Sequence, residues 1–412
     1  MAKEFNSRLH IPKAPFRPDE EPDFSYLDIP SPESSTKPDT FIDPNSIRHM
    51  AYGLVRVLDD DHKAKGEWHP QLSAERLRAG LKQMMLIRAY DDHMFKMQRQ
   101  GKLSFYIKCT GEEAVATAQA MALNAEDMLF PTYRQQGLLF ARNCPVVDMM
   151  CQCLSNSRDN LKGRQLPTLY SWSKANFFTI SGNLATQYCQ AVGWAMASAY
   201  KGEEHIAAAW VGDGSTAEAD VYHALQFSST YQAPVILNVV NNQWAISTPQ
   251  SFAASGTTFA ARSLGFHIPG IRVDGNDFLA VYAVTQWAAE RARNGGGPTF
   301  IELFTYRVAS HSTSDNPDAY RSPKEAACWP LGDPITRLKN HLIEIGEWDE
   351  EQHQALEKNL LNSVKEDWQE ALSHGSLEEG PHWPTSSMFE DVFKTMPEHL
   401  SRQRKKMEHG HD

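Results

Sequence analysis

The sequence predicts an α/β protein, a doubly wound and mostly parallel sheet flanked by helices, with an extended N-terminal arm and a helical C-terminal region. Three observations carry this prediction. Short apolar runs alternate with helically spaced segments between residues 206 and 306, the order that builds a parallel sheet through helical crossovers. Two successive runs end in small polar tips, Gly212-Asp213-Gly214-Ser215 and Asn241-Asn242, as strands do at the loop edge of such a sheet. The flanks differ in kind: the first 70 residues are dense in proline and acids, and the chain beyond Pro334 is charged and helically spaced.

Taken in order, residues 1–70 carry Pro12, Pro15, Pro18, Pro22, Pro30, Pro32, Pro38 and Pro44, a composition that blocks helices and sheet interiors alike. This segment is expected to be an arm, with one docked strand or turn at the apolar stretch Met50 to Leu58. Ser73 is a good N-cap, and the spacing of Leu77, Leu81, Met84, Ile87, Tyr90, Met94 and Met97 predicts an amphipathic helix stopping near Gly101. Further helices are predicted from Glu112 to Leu123 and from Pro145 to Leu154, the latter with proline in its first turn. Ile206 to Val211, Pro234 to Val240 and Thr299 to Tyr306 read as strands, with helices over Ala217 to Tyr231 and Phe278 to Arg293. The chain thus divides into an arm (1–70), an α/β domain (71–330) and a helical region (331–412).

With 41% hydrophobic residues in 412, there is apolar material for one large domain or two ordinary ones. A formal net charge of -11 offers no basic surface to a nucleic acid, so none is expected as a partner. No stretch approaches the roughly 20 apolar residues of a bilayer span, so no membrane association is expected either. The opening MAKEFNSRLH lacks a secretory core and Asp19 to Asp23 is too acidic for a mitochondrial presequence, which makes a cytoplasmic location the expectation. All six cysteines are expected to be reduced and to serve packing; Cys151 and Cys153, two apart on a helix, point about 200° apart and make no metal pair.

The chemistry is expected beyond the carboxyl ends of the strands. Asp213 offers a hard anionic oxygen and Asn242 a neutral one, a set that suits Mg²⁺ shared with phosphate oxygens and water. Gly212 and Gly214 let the backbone approach phosphates, and a helix beginning near Ser215 or Thr216 would aim free N–H groups at them. Gly-Asp-Gly alone is the composition of an ordinary turn. Followed after 26 residues by Asn-Asn, across one helix and one strand, it matches the thiamine diphosphate-binding signature.

From about residue 75 to its end the chain resembles the alpha subunits of heterotetrameric 2-oxo acid dehydrogenases of the branched-chain, bacterial type. The resemblance is carried by SFYIKCTGEEA from Ser104, PTYRQQG from Pro131, GRQLP from Gly163, FFTISGNLATQ from Phe177 and NNQWAIST from Asn241. RVDGND from Arg272, HSTSDN from His311 and the tail MFEDVFKTMPEHL from Met388 extend it. It implies the thiamine diphosphate-binding fold of the diphosphate and Mg²⁺ type. It also implies Mg²⁺ on the Asp213 and Asn242 side chains and the Trp244 carbonyl, and a diphosphate facing Tyr133, Arg134 and His311. Gly182 and Leu184 would present backbone to the aminopyrimidine, with Gly212, Gly214, Ser215, Ala245 and Ile246 completing the cofactor site. Ser181, Asn183, Thr186 and Gln187 resemble a K⁺ site. Two positions depart from relatives: Val240 stands where some place an arginine, and Gly182-Asn183 where others have Ser-Pro.

The resemblance implies oxidative decarboxylation of branched-chain 2-oxo acids such as 3-methyl-2-oxobutanoate, with acyl transfer to the lipoyl group of a dihydrolipoyl acyltransferase core. His311, at the end of a strand, would protonate the departing lipoyl sulfur. The same chemistry on pyruvate or acetoin, or a non-catalytic scaffold role, are the alternatives. The acid that activates the aminopyrimidine needs a second domain of similar shape, and Glu112 and Glu113 are expected to serve packing or hydrogen bonding. That acid is therefore assigned to a beta subunit in an alpha2beta2 assembly. Arg307 and Asp315 are expected to pair, and Phe105 and Tyr106 to line a substrate pocket or the core. Ser312 and Ser322 align with positions phosphorylated in animal relatives and are otherwise plain loop hydroxyls.

Overall fold

Small and branched apolar residues in Ala207–Gly212 and Val235–Asn241 suit strands covered on both faces, and these segments form the middle of the sheet. The computed structural model describes residues 12–409. Its sheet contains β1 (Met128–Phe130), β2 (Ala207–Gly212), β3 (Val235–Asn241), β4 (Gly270–Asp274) and β5 (Thr299–Phe304), all parallel, in the order β1-β2-β3-β5-β4. The predicted α/β class is therefore the observed one.

Strand side chains alternate between two cores. Ala208, Trp210, Ile236 and Ile301 face one, and Ala207, Ala209, Val235 and Leu237 the other. The first core is covered by α1 (Ala74–Arg99), α2 (Glu113–Ala122), α3 (Gly137–Ala141), α4 (Val146–Leu154) and α7 (Phe278–Arg293). The second is covered by α5 (Thr186–Lys201) and α6 (Ala219–Thr230). After the domain come α8 (Pro334–Glu344), α9 (Glu350–Ser373) and α10 (Glu398–Glu408), with α9 packed on α1 and α4.

Several elements differ from the sequence expectations for physical reasons. Pro145 is the cap of α4 rather than a residue of its first turn. β1 is three residues long, too short for a periodicity signal. β4 carries Arg272, whose guanidinium lies 3.8 Å from the Phe304 ring centroid and pairs with Glu302 at 3.3 Å, a polar residue where a buried strand is expected to be apolar. α5 escapes detection because its small and polar residues blur the apolar stripe, although Gly202 stops it in the left-handed region, φ 73°. No helix starts at Ser215: Gly214–Ala217 is one 3-10 turn, and α6 begins at Ala219. Cys328 is exposed rather than packed, while Cys109, Cys144, Cys151 and Cys153 are buried.

The arm is bound to the body. Val55 N donates to Arg272 O at 2.9 Å and Val55 O accepts from Asp274 N at 3.0 Å, so one arm residue extends the sheet beside β4. Val57 and Leu58 donate their backbone N–H to Asp277 Oδ2, whose Oδ1 caps α7. Met50, Leu54, Val55, Val57 and Leu58 are all buried. At the other edge Leu129 bridges to Phe177 through two 2.8 Å bonds, Leu129 N to Asn176 O and Phe178 N to Leu129 O.

Candidate active site

Four strand ends, β1, β2, β3 and β5, open onto one cavity of about 240 Å³. Thr132 to Gln135 follow β1, and Gly212 to Ser215 end β2 and turn away from it. Val240 and Asn242 come from the end of β3, Trp244 to Ile246 from a small hairpin beyond it, and His311 from the loop after β5. Leu184, just before α5, reaches the cavity; Gly182 does not line it, and a Cβ there would meet nothing within 4 Å. Phe105 and Tyr106 do not line it either: Tyr106 is buried and donates its hydroxyl to Asp91 at 2.7 Å.

Of the asparagine pair, Asn241 turns into the sheet, donating to Glu302 Oε1 at 2.8 Å, while Asn242 faces the cavity. Asp213 Oδ1 accepts from Gly214 N at 2.9 Å, and Oδ2 is buried with no partner among the described residues. Burial pushes the Asp213 carboxyl up to about 6, against the hydrogen bond from Gly214 and the charge of Arg307. A buried anionic oxygen left without a partner is the state a cation relieves. Gly214 is required here, since a Cβ on it would lie 2.5 Å from that of Ala245. No group of three or more His, Cys, Asp or Glu side chains that could hold a metal ion occurs among the described residues.

The cavity also holds Arg134 and His311. Arg134 Nη2 donates to His311 O at 2.9 Å and lies 3.2 Å from His311 Nδ1, while Nη1 donates to Lys108 O. An arginine can only donate, so Nδ1 accepts and the imidazole proton sits on Nε2. Burial first, then Arg134 and Arg307, lower the His311 pKa to about 3. The ordinary histidine pKa assumed from sequence therefore does not apply to the chain by itself, and the ring is neutral at pH 7. Tyr133 stands edge-on to it at 5.9 Å.

Arg307 and Asp315 do not pair directly. Arg307 donates to Trp244 O, Ile246 O and Tyr320 Oη, each at 2.8 Å, and Tyr320 Oη donates to Asp315 Oδ2, which also accepts His311 N. This chain of bonds fixes the hairpin, where Ile246 is held at φ 56°, a costly angle for a β-branched residue. The Trp244 carbonyl is thereby shared with a guanidinium, which leaves Asp213 and Asn242 the stronger oxygens for a cation. In the proposed K⁺ loop, Thr186 Oγ1 donates to Asn183 O, Ser181 Oγ accepts from Asn183 N, and Gln187 Nε2 donates to Trp210 O. Ser312 and Ser322 are both buried.

Thr132 and Gln135 line the cavity without having been singled out in the sequence, and Glu112, expected only to pack or hydrogen-bond, lines it as well. Glu113 does serve hydrogen bonding, pairing with Arg88 at 2.7 Å. Glu112, at the cap of α2, hydrogen-bonds too, accepting from Asn242 Nδ2 at 2.7 Å, and it also lines the cavity, where burial pushes its pKa up to about 7. The available signal was Gly111, whose φ of 97° turns the start of α2 toward the strand ends.

These features define a class of protein: an α/β fold with a cavity at the carboxyl ends of a parallel sheet, lined by the carboxyl groups of Asp213 and Glu112 together with Arg134 and His311. A family model described as "Dehydrogenase E1 component" matches residues 81–379, and one described as "2-oxoisovalerate dehydrogenase E1 alpha subunit N terminal" matches residues 6–45. The chain is 56% identical over 401 residues to the 2-oxoisovalerate dehydrogenase subunit alpha of Pseudomonas aeruginosa, covering 97% of this chain and 98% of that one. It is 38% identical over 369 residues to the human mitochondrial 2-oxoisovalerate dehydrogenase subunit alpha, covering 89% of this chain and 81% of that one. The chain belongs to the dehydrogenase E1 component family.

Proposed function

We propose that this chain is the alpha subunit of a branched-chain 2-oxo acid dehydrogenase, decarboxylating substrates such as 3-methyl-2-oxobutanoate and passing the acyl group to lipoyl. The family is thiamine diphosphate-dependent, and its alpha subunits work with a beta subunit. The observation that carries the site assignment is the unpartnered Asp213 Oδ2, buried in the same cavity as Asn242, Arg134 and His311.

In this reading Asp213 and Asn242 hold Mg²⁺, aided by the Trp244 carbonyl, and Arg134, Tyr133 and His311 face the diphosphate. Gly212, Gly214, Ser215, Ala245 and Ile246 shape the cavity, and Leu184 contributes to the aminopyrimidine side. Gly182 belongs there only if its loop moves inward. Ser181, Asn183, Thr186 and Gln187 supply oxygens for K⁺. Bound thiamine diphosphate supplies an electron sink that stabilises the charge left when carbon dioxide departs. The chain's own part is orientation: Arg134, with Arg307 behind the hairpin carbonyls, contributes positive charge and Asp213 negative charge. An anion in the cavity opposes the two arginines that depress His311, so the imidazole regains basicity when the diphosphate binds.

The acid for the aminopyrimidine comes from the beta subunit of an alpha2beta2 assembly, which docks with the lipoyl domain and core of the acyltransferase, in the cytoplasm. Co-purifying the chain with its beta partner and assaying 2-oxo acids with an artificial electron acceptor tests this. kcat/KM should favour 3-methyl-2-oxobutanoate over pyruvate and acetoin; a preference for either of the latter would reassign the substrate.

A further inference from the structure

We propose that Glu112 is a positioning residue that decides which end of the Asn242 amide faces the cation. This rests on the assignment of Asn242 as a cation ligand. An asparagine amide has nearly the same shape either way round, yet its oxygen binds a cation and its nitrogen repels one. Something in the chain must choose. Glu112 Oε1 accepts from Asn242 Nδ2 at 2.7 Å, with both residues buried. In its ionised form Glu112 can only accept, so it takes the nitrogen end, while Oδ1 accepts a 3.4 Å bond from Trp244 N and keeps a lone pair for a cation.

The carboxylate is itself held. Arg134 Nε lies 3.9 Å from the same Oε1, and Arg134 is fixed by the carbonyls of Lys108 and His311. Backbone geometry brings Glu112 here, because a Cβ on Gly111 would fall 2.3 Å from Tyr306 O and only glycine permits that approach. Glu113, one residue on, is turned away to Arg88. The Oε2 of Glu112 has no partner among the described residues, so among them the carboxyl group makes one hydrogen bond, the one to the amide.

The test measures Mn²⁺, a paramagnetic probe for the Mg²⁺ position, by electron paramagnetic resonance on the full chain assembled with its beta subunit at saturating thiamine diphosphate. Glu112→Met, similar in volume but unable to accept, should weaken Mn²⁺ binding about 10- to 100-fold, as loss of an outer partner of a metal ligand does. Glu112→Gln, which can still accept, should recover most of that affinity. Glu112→Met combined with Asn242→Ala should bind Mn²⁺ no more weakly than Asn242→Ala alone, since no amide remains to be oriented. Unchanged affinity in Glu112→Met, or additive losses in the double variant, overturns the positioning role. Asp213→Ala separates this from the site assignment: if it too leaves Mn²⁺ affinity unchanged, the metal site is misplaced and both readings fall. Should the methionine chain not fold, Glu112→Ala takes its place with the same expectations.

Discussion

At Asp213 the folded chain tolerates a buried carboxylate that half lacks partners, and this has a measurable cost in the absence of metal. Its folded pKa of about 6 lies above the ordinary 3.8, so the folded chain binds the proton more tightly than the unfolded one. Stability therefore falls as pH rises from about 4 to about 6 and stays reduced above that. Asp213→Asn should stabilise the metal-free protein at pH 7 by on the order of 2–3 kcal/mol, and by under about 1 kcal/mol near pH 4. Urea unfolding at the two pH values checks this, and a destabilised variant at pH 7 would count against a buried unpaired charge. In calorimetry the same variant should lose Mg²⁺-dependent cofactor binding. For His311, Ala substitution removes a hydrogen-bond donor to the diphosphate and, once the bound anion has restored the ring's basicity, a proton donor to the lipoyl sulfur, so cofactor affinity should weaken modestly while acyl transfer to lipoyl falls roughly 10²- to 10⁴-fold. Equal losses in acyl transfer and in decarboxylation would reduce His311 to an organiser of its loop. Asp213, Asn242 and His311 were legible in the sequence because the first two sit at strand ends, the third lies in the loop after one, and each has a recognisable neighbour. Glu112 was not, because its partner lies 130 residues away and only folding brings the two together.

The elements that sequence reasoning recovers are those whose own residues decide their form. α7 runs from Phe278 to Arg293 as its apolar spacing predicts, with Asp277 at its cap, and α1 follows Ser73 in the same way. α5 and β4 depend on tertiary partners, the first for its buried stripe and the second for the Glu302 carboxylate that takes in Arg272. Contact between α1 and α7 makes a sharp prediction. A Cβ on Gly80 would stand 2.5 Å from the Phe278 ring, which is wedged at the start of α7. Gly80→Ala gains about 1 kcal/mol of helix propensity but forces that ring to move, at about 1–3 kcal/mol, so no stabilisation is expected. A rise in Tm on Gly80→Ala would show that the ring yields freely.

On the scale of the molecule, the described residues contain one parallel sheet of five strands with a cavity at its strand ends, and the proposed reaction takes its aminopyrimidine acid from a beta subunit. The purified chain alone should therefore show no decarboxylase activity, and adding its beta partner should restore it; turnover by the alpha chain alone would defeat the two-subunit reading. The bond between Val55 and the edge of β4 also carries a temporal consequence. Its two partners, Arg272 and Asp274, lie more than two hundred residues downstream. At about 5–20 residues per second, a ribosome makes Val55 roughly 10 to 40 s before it makes the strand it joins. During that interval the apolar residues from Met50 to Leu58 have no native partner. A nascent chain arrested before residue 270 should thus expose them to protease and to chaperones, and one released after β5 should protect them. The arm is made well before the strand that gives it its place.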